Sequence, residues 1–313
     1  MDLSSLKSRL VVDLGLLAAS IAMFFVLPDQ LGFATRVITT VLFVLSLDLV
    51  LGYAGIPTLG HAAIFGIGAY AAGLYALHVS SEPLSGLLVA GIAGAVIAFL
   101  TGLLLLRVNK LTLVMISIAM AQIALEIANQ ASGLTGGADG LGGFELGPVL
   151  GLFAFDFYGY TAYGYALAVT WLLFLVMRRL MASPFGISCQ GVREQPRRME
   201  ALGVSVYWRL VAIYTIAGSI AGVAGGLATQ TTQFVSLEVL GFTVSAEALI
   251  MLIIGGTGRL YGAIIGTILF MSAHDIAAGI APANWLFVIG ALVIVVVLVT
   301  PRGLLSILPW GSR

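Results

Sequence analysis

The chain has 313 residues, with 14 basic and 14 acidic side chains, no formal net charge, 60% hydrophobic and only 9% charged residues. Such scarcity of charge, with a mean hydropathy of +1.10, excludes an ordinary soluble domain, in which about a quarter of residues are charged. Neutrality argues against general affinity for nucleic acid, and the lone cysteine, Cys189, excludes an intramolecular disulfide framework or a thiolate metal site.

An integral membrane protein remains. Its apolar runs are continuous and roughly 20 residues long, as helices need, without the alternation of an outer-membrane barrel. Lys7 and Arg9 precede the first, Leu10 to Leu27, which runs too far past Ala18, Ala19 and Ser20 for a cleaved signal peptide and is read as an uncleaved span. Phe33 to Leu51 follows. Then comes Gly52 to Tyr75, GYAGIPTLGHAAIFGIGAYAAGLY, with six glycines, a proline, a histidine and three tyrosines. Backbone of this kind is tolerated at membrane depth only where protein buries it or where it lines a wet cavity. Two readings stand: a pathway segment, with Tyr53, Gly55, Thr58, Gly60, His61, Gly66 and Tyr70 as candidates, or a tight turn between packed helices.

Further spans are expected at Ala62 to Val79, Leu84 to Leu106, Leu111 to Ala131, Tyr160 to Met177, Arg209 to Gln230, Val244 to Ile254, Leu260 to Ile280 and Trp285 to Thr300, making about ten. Val244 to Ile254 is too short to cross ~30 Å at 1.5 Å per residue without irregular backbone, and Gly255, Gly256 and Gly258 follow it. With the N-terminus inside, Lys7, Arg9, Arg107, Lys110, Arg178, Arg179, Arg193, Arg197, Arg198, Arg209, Arg259, Arg302 and Arg313 all fall at cytoplasmic ends, and Arg36 alone does not. Both termini are therefore expected in the cytoplasm. About ten spans divide into halves of about five, which permits an inverted repeat, although no internal sequence similarity requires it. Gly218, Gly222 and Gly226, and likewise Gly262 and Gly266, recur every four residues and predict close helix contacts.

Two segments outside the membrane are long. The outward stretch 132–159 is glycine-rich and anionic, a surface loop suited to meet a partner or cap a pathway mouth. The inward stretch 182–208 is polar. Pro196 and Gly203 bracket a short helix over Pro196 to Leu202, which needs something to dock against because two turns are marginal alone. Asp48, Glu126, Glu247 and Asp275 fall within expected spans, where a carboxylate is either a proton relay or hydrogen-bonded across a helix contact. No HExxH pair, Ser-His-Asp context or Cys/His cluster supports catalysis. With only Lys7 and Lys110 there is no phosphate-binding loop, so any ATP-driven step belongs to another polypeptide. An ion- or proton-coupled carrier using the four carboxylates stands as a rival, and nothing singles out the charged or carbonyl ring of a channel.

Several segments together resemble the permease family of ATP-binding-cassette importers for branched-chain amino acids, in its LivM-like branch. They are GYAGIPTLGHAAIFGIGAYAAGLYA from Gly52, SGLTGGADGL from Ser132, SPFGISCQGVREQPRRMEALGVSVYWRLVAI from Ser183, SAEALIMLIIGGTGRLYGAIIGT from Ser245 and TPRGLL from Thr300. The resemblance covers most of the chain. It implies an all-α polytopic permease, one transmembrane domain over 1–313, in a bacterial inner membrane. It implies a second permease subunit, identical or different, and two cytoplasmic ATPase subunits that bind ATP and Mg, this chain carrying no cofactor. An extracytoplasmic solute-binding protein would deliver a small-molecule substrate. Glu200, Ala201 and Gly203 match the family's ATPase-coupling pattern, with Arg193 and Glu194 as its preceding pair and Arg197 and Arg198 between. The outward Thr135, Gly136, Gly137 and Asp139 would lie near the binding-protein docking surface. On the cost of carboxylates at membrane depth, and apart from the resemblance, Glu126 and Glu247 join the pathway candidates. Ile56-Pro57-Thr58, Pro196 and Arg259 depart from the family's usual residues. They leave the solute open, since relatives of this architecture also carry urea, amides and aromatic acids.

Overall fold

The computed structural model describes residues 30–156 and 159–280, together with scattered positions within 15–24 and 287–303. The expected spans Leu10 to Leu27 and Trp285 to Thr300, and the basic residues at both termini, lie largely or wholly outside the described residues. Helix α1, Leu31–Asp48, continues into a π turn over Leu49–Tyr53. It is followed by α2 (His61–His78), α3 (Pro83–Leu105), α4 (Lys110–Gln130) and α5 (Tyr160–Ala182). The segment 182–208 forms α6 (Pro184–Glu194) and α7 (Pro196–Ala201). Then come α8 (Val206–Thr232), α9 (Phe242–Gly255) and α10 (Leu260–Ile280).

Among the described residues, six helical stretches are long and apolar enough to cross a membrane: Leu31–Tyr53, α3, α4, α5, α8 and α10. The protein is an all-helical, multi-pass membrane protein. The expected short span is α9, at 14 residues slightly longer than its apolar run, and it ends where Gly256 and Gly258 take φ of 107° and 78°.

Helix α8 is the axis of the bundle, packed by α3, α2 and α1. The small-residue face read from the sequence is the contact surface: Gly218 and Gly222 lie against Gly94, Ala98 and Ala90 of α3, and Gly222 also meets Gly68 of α2. Backbones approach this closely only where side chains are absent, and in lipid, where apolar burial gives little drive, that packing holds helices together. Gly255, Gly262 and Gly266 make the same kind of approach between α9 and α10. At the α8 C-terminus polar side chains satisfy one another. Thr229 Oγ1 donates to Ala69 O (3.1 Å), Gln230 Nε2 to Pro83 O (2.7 Å), and Tyr165 Oη to Gln230 Oε1 (2.8 Å).

The connections sort to two ends of the bundle. At one, Leu141 and Val235 exchange backbone hydrogen bonds of 2.8 and 2.9 Å and Gly147 N–H donates to Ser81 O at 2.9 Å. Segments expected on the outer side thus meet there. At the other, Arg107 Nε donates to Tyr207 Oη at 3.3 Å, and the turns after α1 and α9 meet the segment 182–208. Helix α7 matches the expected Pro196 to Leu202 helix. Helix α6 is an addition: Ser183 precedes Pro184 at its first turn, and Cys189 and Val192 are buried on one face. The spacing of Phe185, Cys189 and Val192 was the available signal.

Candidate functional site

The break after α1 begins where glycine and proline deny the helix its regular ladder. In the π turn, Ala54 N–H reaches Leu49 O (3.2 Å) and Ile56 N–H reaches Val50 O (3.0 Å). Gly55 has φ of 70°, a conformation other residues rarely adopt, and Pro57 offers no N–H. The stretch is covered by protein, with Ile56 and Thr58 each 3% exposed.

When α2 starts again at His61, its first N–H groups lack intrahelical partners. Side-chain hydroxyls take one of these and the two N–H groups just before the helix. Ser117 Oγ of α4 accepts from Leu59 N–H at 3.1 Å, Thr58 Oγ1 from Gly60 N–H at 3.2 Å, and Ser245 Oγ of α9 from Ala62 N–H at 2.8 Å. His61 itself is fully buried, stacked on Phe43 with ring centroids 5.6 Å apart. Ser46 Oγ donates to Phe43 O at 2.6 Å, so its 2.9 Å contact with His61 Nε2 needs the imidazole proton on Nε2.

Asp48, also fully buried, bridges two breaks. Its Oδ1 accepts from Gly258 N–H at 2.7 Å, and the Arg259 N–H is also directed at the carboxyl. Those groups lead directly into α10, so the Asp48 carboxyl stands at a helix N-terminus, whose first N–H groups need acceptors from outside the helix. Arg193, the penultimate residue of α6, donates through one guanidinium nitrogen to Gly52 O.

Beside the break runs a groove of about 230 Å³ between α2, α3 and α4. Gly60, Thr101, Ser117 and Tyr214 are among its few polar contributors, and Ile64, Ile67, Met120 and Ile123 are representative of its apolar walls. It is small compared with drug-sized pockets of ~300–1,000 Å³. Its α4 wall ends in a face, Leu111, Met115, Ile123 and Ile127, that is exposed among the described residues.

A family model described as "Branched-chain amino acid transport system / permease component" matches residues 30–297. The chain belongs to this permease family. Over 97% of its length the permease is 26% identical to the high-affinity branched-chain amino acid transport system permease protein LivM of Escherichia coli (strain K12), covering 76% of that protein. A LivH permease of the same strain is 28% identical over 44% of this chain and 47% of its own. A probable LivM of Methanocaldococcus jannaschii is 23% identical over 72% of this chain and 75% of its own. No solved structure matches.

Of the pathway candidates in the permease, Gly60 lines the groove and Thr58 sits at its end, near Tyr214. Tyr53 and Gly55 stand at the break. Gly66 and Tyr70 face inward on α2, Gly66 against Leu240, and Tyr70 in a buried cluster with Leu141 and Val235. Glu126 is exposed on α4 and accepts from Gln130 Nε2 at 2.8 Å. Glu247 is exposed on α9, with His274 of α10 as its electrostatic neighbour, and Asp275 is exposed on α10. The candidates therefore do not converge on one spot. Thr101, Ser117 and Tyr214, which the sequence reading passed over, contribute the groove's polar atoms. Their only signal was small polar residues set inside apolar spans.

The residues expected on the outer side form a built loop. Thr135 Oγ1 donates to Ala131 O at 3.0 Å, and Gly136, Gly137 and Gly140 take φ of 75°, 56° and 78°. Gly137 is buried, and Asp139 presents its side chain to solvent. In α7, Arg197, Arg198, Glu200 and Ala201 are exposed, Gly203 ends the turn with φ of 84°, and Leu202 is 72% exposed. Gln195, Pro196, Arg197 and Arg198 border an open depression on the same surface.

Proposed function

We propose that the permease is the membrane subunit of an ATP-driven importer for branched-chain amino acids, or small amphipathic solutes like them, in a bacterial inner membrane. It works with a second permease subunit, two cytoplasmic ATPases that bind ATP and Mg, and an extracytoplasmic binding protein. Its own chain supplies alternating access and no catalysis.

The observation that carries this reading is α7. Six residues cannot sustain a helix in isolation, yet in Pro196–Ala201 no side chain is fully buried and only Met199, against Gly191 of α6, is half-buried. The helix lies in the segment that resembles the coupling segment of the family, and its exposed face suits a docked ATPase. Charge and turn chemistry agree, with Arg197, Arg198 and Glu200 outward and Gly203 closing the C-terminus. The groove beside Gly60 supplies this subunit's wall of the path, and the second permease covers the open α4 face. An apolar wall with isolated hydroxyls suits a solute with an aliphatic side chain and a polar head. Asp48 accepts from the Gly258 N–H at 2.7 Å, a tie between the break after α1 and the turn before α10 that favours a structural role for it.

Glu200→Lys tests the reading in the assembled complex. Membrane insertion and subunit co-purification of this chain are expected to persist, while ATP hydrolysis no longer drives uptake and transport falls at least tenfold. Undiminished ATP-dependent uptake in that variant overturns the coupling assignment.

A further inference from the structure

Three chain breaks meet at one arginine. The aliphatic stem of Arg193 lies across Gly55: a Cβ added there would stand 2.8 Å from Arg193 Cγ, 3.3 Å from its Cβ and 3.6 Å from its Cδ. The guanidinium then reaches Gly52 O and passes beside Gly258, where an added Cβ would be 2.9 Å from the same nitrogen and 3.1 Å from Gly52 O. Gly55 and Gly258 have φ of 70° and 78°. Gly52 has no room for a side chain either, because Asp48 and Gly258 N occupy it. Three glycines from two distant turns thus form a slot for one side chain, and Asp48 holds those turns together by accepting from Gly258 N–H at 2.7 Å. Its carboxylate also lies within electrostatic range of Arg193.

We propose that Arg193 is a positioning residue for transport, a strut that carries displacement of the α6–α7 segment into the break after α1 and the turn before α10. This rests on the importer reading above. Arg193 differs in role from the outward residues of α7: the residue is exposed at the surface, but its stem crosses Gly55 and one guanidinium nitrogen reaches Gly52 O. Met199 of α7 packs on Gly191 of α6, which links the two short helices, and the buried Cys189 and Val192 seat α6 on the bundle beside the slot.

On the far side of the slot, the first break runs within a few residues to Thr58 and Gly60, at the groove. The turn at Gly258 opens α10, which is packed on α9 through Gly255, Gly262 and Gly266. A movement imposed on α7 therefore reaches both the groove and the α9–α10 pair through one side chain. Interdigitated contacts of this kind pass on small shifts because packed structure yields little. Arginine suits the position: its stem fills the slot, and its planar fork offers several donors in fixed geometry where a lysine offers one compact charge.

The test uses the complete importer with its ATPases, in liposomes, with binding protein and solute inside or outside as required. Wild type must first show ATP-dependent uptake. If it shows none, the importer reading fails, and the strut with it. With wild type active, Arg193→Met keeps most of the stem and removes the fork. It is expected to retain ATPase co-purification and hydrolysis within about twofold of wild type, while solute moved per ATP hydrolysed falls at least tenfold. Arg193→Lys is expected to fall between the two. A solute-per-ATP ratio within twofold of wild type for Arg193→Met overturns the proposal. So does a parallel loss of hydrolysis and uptake that tracks lost assembly, which marks a merely structural brace. Should Arg193→Met fail to fold, Arg193→Lys decides alone: a ratio lowered at least threefold supports the strut and an unchanged ratio overturns it.

Discussion

Substituting Gly222 with alanine tests the claim that α8 is the axis of the bundle. A Cβ at this position would lie 3.1 Å from Gly94 Cα and 3.2 Å from the Ala90 carbonyl carbon, and closer still to Ala90 O. Comfortable carbon contacts are ~3.5–4.0 Å, and every one of these atoms is backbone, so no side chain can rotate away. The helices must separate along the seam that also holds Gly68, Gly94 and Gly218. Overpacking costs about 1–3 kcal/mol, against which alanine gains at most ~1 kcal/mol of helix propensity over glycine. A net loss of about 1–2 kcal/mol is expected. Gly164→Ala is the matched control, since nothing lies within 4 Å of a Cβ added on that exposed face of α5; it is expected to be neutral or slightly stabilising. Unfolding midpoints in mixed detergent micelles, on the same preparation, should rank Gly164→Ala at or above wild type and Gly222→Ala well below it. A Gly222→Ala midpoint equal to that of Gly164→Ala would refute the packing argument.

Asp156 accepts from Thr161 N–H at 2.9 Å and Tyr160 N–H at 3.2 Å at the start of α5. Slight desolvation acts to raise its pKa, but these donors outweigh it and hold the carboxyl below the usual range. A lowered folded value means the cap contributes fully above about pH 4 and fades as pH falls through the folded value. Asp156→Ala should therefore lower the thermal midpoint near neutral pH, by the equivalent of about 1 kcal/mol, and the gap to wild type should close in acid; a gap independent of pH would count against the cap. Burial pushes the Cys189 thiol up to about 11, against the opposing pull of Arg209. Since the thiolate is the reactive form, maleimide labelling of the folded permease at pH 7 should run at least ~100-fold slower than after denaturation. Equal rates would show the α6 face to be open.

Much of the site's chemistry was legible in the chain, and its address was not. Gly52, Gly55 and Pro57 announce a broken helix because one lacks a side chain to hold φ negative and the other lacks a donor, and the structure breaks there. Pro196 and Gly203 likewise bracket α7. Arg193 could be read as a basic residue at a cytoplasmic end and, through the family resemblance, as part of the coupling pattern, but not as a partner of Gly52. Its slot is made by glycines at 52, 55 and 258, and which carbonyl it meets depends on how α6 docks. His61, a polar group that invited a pathway role, is enclosed by Ser46 and Phe43 of α1.

What the sequence determined by itself is whatever depends on local composition: helical spans forced by the need to satisfy every backbone group within lipid, the small faces of α8 and α10, and the exposed polar helix α7. What only the tertiary structure decided is how buried polar groups are paired. Ser245 caps α2 across 183 residues, Gly258 N–H meets Asp48 across 210, and Arg193 reaches Gly52 across 141. The reason is physical. A buried hydroxyl or carboxylate needs a partner but does not specify which, and the choice is fixed by whichever helix end the packing of small residues brings alongside. In that way the glycine seams of α8 and α10, plain in the sequence, set which polar atoms meet at the break after α1.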